Sequence, residues 1–153
     1  LLALTLIDLE TMTLPNSLTQ SGLILGLVWQ IIAGIPNAEV TSHLIQAIAG
    51  AVVAIWFLDS IGWIGTFVLG QPAMGGGDPK LAAMIGIWLG WKNVLLSIFL
   101  ACLVGSIIGL GARLLKRLDK RQPIPFGPFL AIGAALTVFW GDAIITSYLQ
   151  LWF

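Results

Sequence analysis

The chain has 153 residues, 58% of them hydrophobic and only 9% charged, against roughly 25% charged residues in a soluble domain. Its formal net charge is zero, which leaves no electrostatic basis for binding nucleic acid. The apolar runs are continuous rather than alternating, which excludes a β-barrel and predicts an all-α, polytopic transmembrane bundle.

The same residues narrow the chemistry. Cys102 is the single cysteine, so no intramolecular disulfide can form, and with His43 as the single histidine and no C-x-x-C pair no metal site is expected. Seven tryptophans suit the two interfacial belts of a membrane protein. One membrane-embedded domain, residues 1–153, is expected. The chain opens Leu1-Leu2-Ala3 without a methionine, which reads as the last turns of a truncated first span with an upstream region missing.

Leu1 to Ile7 is apolar apart from Thr5. Asp8 to Ser17 is the first polar break, where Pro15 and Asn16 stop one helix and Asn16 or Ser17 can cap the next. Leu18 to Ala33 is the second helix, ended by Gly34-Ile35-Pro36-Asn37. The third runs from about Leu44 towards Leu69. Asp59-Ser60, Gly62 and Gly65 predict a span to about Leu58 and then an irregular or interfacial stretch, with one long tilted helix as the alternative. Pro79 to Trp91 is a short helix, Trp91-Lys92-Asn93 a turn, Val94 to Ala112 a fifth helix, and Phe129 to about Gln150 the last. This makes about six spans. Alternation puts Asp8, Asp78 and the basic loop Arg113–Arg121 on one face, with six of the seven basic residues. That face is expected to be cytoplasmic.

Gln71-Pro72-Ala73-Met74-Gly75-Gly76-Gly77-Asp78-Pro79-Lys80 sets a carboxylate among glycines and prolines. Pro79 suits the first turn of a helix, so Asp78 is expected at a helix mouth, held by an orphan N–H. Gly75, Gly76 and Gly77 permit positive φ and close approach of a substrate backbone. An acid at membrane depth is expensive and marks a functional site. Asp8 and Asp78 lie on different helices at the same face, so packing can bring them together. Two neighbouring carboxylates share a proton, and such a pair can activate water and polarise a peptide carbonyl. Asp119 and Glu10 suit solvated charges and Glu39 lies opposite, whereas Asp59 and Asp142 stay open as neighbours of the site. Lys80 either depresses the Asp78 pKa or marks the interface. The rival class is a proton- or ion-coupled transporter with intramembrane carboxylates as its relay.

Three separated motifs point to one family. They are Ile7-Asp8-Leu9-Glu10-Thr11-Met12-Thr13-Leu14-Pro15-Asn16-Ser17-Leu18-Thr19, Met74-Gly75-Gly76-Gly77-Asp78-Pro79-Lys80-Leu81, and Pro123-Ile124-Pro125-Phe126-Gly127-Pro128. In this order they resemble the type IV prepilin (leader) peptidases, bacterial membrane aspartyl proteases. The resemblance implies Asp8 and Asp78 as the catalytic pair. Gly75, Gly76, Gly77, Lys80, Pro125, Phe126 and Gly127 are then substrate-binding candidates around it. It also implies an inner-membrane enzyme that removes the short basic leader of a prepilin or pseudopilin at the cytoplasmic face, among membrane lipid and without nucleic acid. Cleavage needs no cofactor. S-adenosylmethionine enters only where methylation is retained, and the family's paired C-x-x-C motifs are not in this sequence. Asn16 stands where the family usually has a second Asp, and is expected to act as a helix cap.

Overall fold

A computed structural model describes residues 5–8, 15–36, 38–70, 74–114 and 125–152. Among these the chain is all-helical, with no strand. Residues 5–8 form a single helical turn. Four long helices follow: α1 (Asn16–Gly34), α2 (Val40–Leu69), α3 (Asp78–Leu114) and α4 (Gly127–Trp152). All four are long and apolar enough to cross a membrane. Many large side chains on the outside are apolar, Ile24, Trp56 and Phe139 among them, the pattern of helices solvated by lipid.

Pro15, in extended backbone, precedes α1, and no side chain caps the helix. The expected capping by Asn16 is therefore corrected: its side chain accepts a hydrogen bond from Lys80 instead. The Thr19 hydroxyl turns back onto the carbonyls of Pro15 and Asn16. Gly34 ends α1 as its Gly–Pro signal predicts.

α2 is one continuous helix of 30 residues, the alternative left open by the sequence. Its polar residues do not break it because they serve themselves. Ser60 Oγ donates to Trp56 O at 2.6 Å and Thr66 Oγ1 to Gly62 O at 2.7 Å, so each hydroxyl is satisfied by the preceding turn. Gly70, at φ 65°, ends the helix in the left-handed conformation.

α3 is broken once. Gly90 sits at φ 76°, ψ 172°, a region in effect reserved for glycine. The break folds the chain back on itself. A straight helix would carry Gly105 about 40 Å from Asp78. Yet a Cβ on Gly105 would lie 3.4 Å from Phe129, and Gly127, two residues before Phe129, abuts Asp8, which acts electrostatically on Asp78. Residues 78–89 and 91–114 thus form a helical hairpin. The turn was expected at Trp91-Lys92-Asn93. It falls at Gly90 because only glycine adopts the required dihedral angles without strain.

Carbonyls released by the break need donors, since lipid supplies none. Gln30 reaches across from α1, and its Nε2 donates to Ile87 O at 2.9 Å and Trp88 O at 3.4 Å. Its Oε1 lies 3.2 Å from His43 Nδ1, an arrangement that needs the proton on Nδ1.

Small residues set the packing. A Cβ on Gly50 would strike the backbone of Gly86, and the reverse holds, so α2 and the first half of α3 meet backbone to backbone. Gly26 of α1 lies against Ile87 and Trp88, and Gly133 of α4 against the Ser97 carbonyl. Leu58, Leu81, Val94, Ile98 and Leu130 fill the space between the helices.

Candidate active site

The helix contacts gather three N-termini, those of α1, α3 and α4, at one end of the bundle. Asp8 and Asp78 are there, each only 5% exposed.

Asp78 is the first residue of α3. Lys80 N and Leu81 N donate to Gly77 O, both at 3.1 Å, and Asp78 N donates to Gly75 O at 3.2 Å. The carboxylate accepts the Gly75 N–H at 3.2 Å. The donor is therefore in the upstream loop, a correction to the expected grip by the helix's own orphan N–H. Positive φ is also absent from this loop: among the described residues, glycine φ is positive only at Gly70 and Gly90. The turn around Asp78 closes with ordinary backbone angles, and its glycines provide room. A Cβ on Gly76 would meet nothing within 4 Å, and one on Gly75 would touch only Asp78 Oδ2, at 3.6 Å.

Asp8 ends the turn 5–8 and faces the start of α4. A Cβ on Gly127 would collide with its carboxylate, so a glycine is needed where α4 begins. Leu130 N donates to Phe126 O at 3.0 Å, which makes Gly127 and Pro128 the first residues of the helix. Proline suits that position, and the positive end of the α4 dipole faces the acid. Asp8 Oδ2 is buried with no hydrogen-bond partner among the described residues. Asp8 and Asp78 are the buried acids among the described residues.

Lys80 does not pair with Asp78. Its Nζ donates to Asn16 Oδ1 at 2.8 Å, tying the start of α1 to the start of α3. Phe126 packs on the hydrophobic core and Pro125 is half-buried, so both seat α4 beside Asp8. Asp59 lines a groove with Gly75, Gly76 and Pro79, next to the Asp78 loop. Asp142 lies about 22 Å along α4 from Gly127, away from both acids. Glu10 and residues 115–121 of the basic stretch, Asp119 among them, lie outside the described residues, as do Pro123 and Ile124 of the third motif. The Asn16–Lys80 bond and the groove beside Asp59 were not foreseen in the sequence. An asparagine and a lysine, each inside an acid-bearing motif, were the only trace of the former.

Residues 1–110 match the model of the type IV leader peptidase family. The chain belongs to that family. Curated relatives agree. Over 98% of the chain it is 41% identical to a prepilin leader peptidase/N-methyltransferase of Aeromonas salmonicida and 40% identical to those of Stutzerimonas stutzeri and Pseudomonas aeruginosa. These alignments cover 50% of each relative, so the chain spans about half the length of the curated relatives it matches. No solved structure matches it. In this leader-peptidase family member the family match contains both acids and stops before Gly127, which nonetheless abuts Asp8.

Proposed function

We propose that this chain is an aspartyl endopeptidase that removes the leader of type IV prepilins or pseudopilins at the cytoplasmic face of the bacterial inner membrane. One observation carries the proposal: two carboxylates from distant segments are both buried, Asp78 as the first residue of α3 and Asp8 against Gly127 at the start of α4.

Two such acids in a poorly solvated place favour a state with one proton between them. The ionised partner takes a proton from water as its oxygen attacks the scissile carbonyl carbon. The protonated partner gives its proton to the carbonyl oxygen. The C–N bond then breaks as one hydroxyl of the tetrahedral intermediate returns its proton to the acid that gave it, and the departing amine takes the proton that came from water, which restores the pair. The open sides of Gly75 and Gly76 leave room for a substrate backbone beside Asp78. Neither step needs a cofactor, and no residue here is assigned to the methyl transfer in the relatives' names.

The proposal includes six membrane-crossing segments, with residues 78–89 and 91–114 as separate passes and the turn 5–8 as the end of the first. The basic residues then put Asp8 and Asp78 at the cytoplasmic side. A transporter relay is not favoured, because the acids sit together at one end of the bundle and the family is one of peptidases.

The test is incubation of the purified chain in lipid nanodiscs with a prepilin. Release of the leader, read by mass spectrometry, is expected. Intact prepilin, together with acid-dependent proton flux in proteoliposomes, would favour the transporter.

A further inference from the structure

A groove of about 460 Å³ runs between the last third of α2 and the loop holding Gly75 and Gly76. Leu58, Trp63, Phe67 and Met74 give it apolar walls, and Asp59 sets a carboxylate among them. It adjoins the Asp78 loop, since Gly75 on its wall donates its N–H to Asp78. Trp63 is 81% and Phe67 92% exposed, so these rings offer nearly all their surface to an occupant.

We propose that this groove binds an extended stretch of the polypeptide substrate, with a lysine or arginine on Asp59 and apolar neighbours against Trp63 and Phe67. The assignment rests on the peptidase function proposed above. Two features select this occupant. No lysine or arginine lines the groove, so an apolar ligand would strip water from Asp59 without pairing it, which is unfavourable. The open side of Gly76 leaves space for a main chain continuing towards Asp78.

The test uses the full chain and three prepilin peptides, one with a lysine in its leader and the others with that lysine replaced by glutamine or by glutamate. The unaltered chain is expected to show a KM about fivefold lower for the lysine peptide, the scale of a partly exposed ion pair. Asp59→Asn should close that gap, and Asp59→Lys should reverse it for a peptide carrying glutamate instead. A photo-crosslinker beside the lysine should label residues 58–67. If the lysine and glutamine peptides are cleaved with equal KM, or if the gap survives Asp59→Asn, the assignment is overturned while the peptidase function stands. Crosslinking elsewhere, or protection of Trp63 and Phe67 by lipid alone, also overturns it. If none of the peptides is cleaved, the peptidase function itself fails, and crosslinking still decides whether the groove takes a peptide.

Discussion

A methyl group at position 127 would occupy the space now held by the Asp8 carboxylate. Gly127→Ala must therefore move either the acid or the start of α4, and a displacement near 1 Å costs on the order of a hundredfold in rate. Leader cleavage by this variant should fall about that far while the protein still inserts and purifies as a folded bundle. Near-normal cleavage would mean that Asp8 is not held where it acts. The Asn16–Lys80 bond makes a second demand at this scale. It joins the segment after Asp8 to the segment after Asp78. Asn16→Ala and Lys80→Met should each lower kcat several-fold with little change in KM. The double variant should be no worse than the weaker single, since one bond is lost in each case. Asn16→Asp, which turns the bond into an ion pair, should retain activity. Additive losses would show two separate roles.

At the scale of the element, Gly90 decides the shape of α3. A side chain at φ 76° is strained by about 1–3 kcal/mol, so Gly90→Ala should lower the melting temperature in detergent. Gly111→Ala, at a helical position with nothing within 4 Å of the new methyl, should leave it unchanged or slightly raised. Equal effects would contradict the hairpin. Several elements were legible because their ends carry local chemistry: Gly34 before Pro36, Asp78 before Pro79, Gly127 before Pro128. α2 was harder to read, because Asp59-Ser60, Gly62 and Gly65 look like a break, whereas the Ser60 and Thr66 hydroxyls are bonded to the preceding turn and the helix runs on. The Gly90 turn was displaced in the sequence by the more polar Trp91-Lys92-Asn93. Gln30 serving the Ile87 and Trp88 carbonyls had no local signal, since it depends on how two helices pack.

For the whole molecule, the pattern of basic residues predicts sidedness, and the helix contacts bring three helix N-termini to the end that holds both acids. In a Cys102→Ala background, single cysteines at Lys120 and Lys92 should label from opposite sides of inverted and right-side-out vesicles. Labelling from one side would undo the six-segment arrangement and the cytoplasmic placement together. That Asp8 and Asp78 lie at one end of the bundle was legible only as a shared face. The surroundings of Asp8 required Gly127, which approaches it from a segment more than a hundred residues away in sequence. The central claim is that these two acids act as one unit. Its most direct measurement is prepilin cleavage by purified Asp8→Asn, Asp78→Asn and the double variant, followed by mass spectrometry of the leader. Asparagine keeps the size and hydrogen bonding of aspartate but cannot exchange a proton. Each single variant should lose nearly all activity, with the double variant little worse, because groups that act together are not additive. Robust cleavage by either single variant would contradict the account.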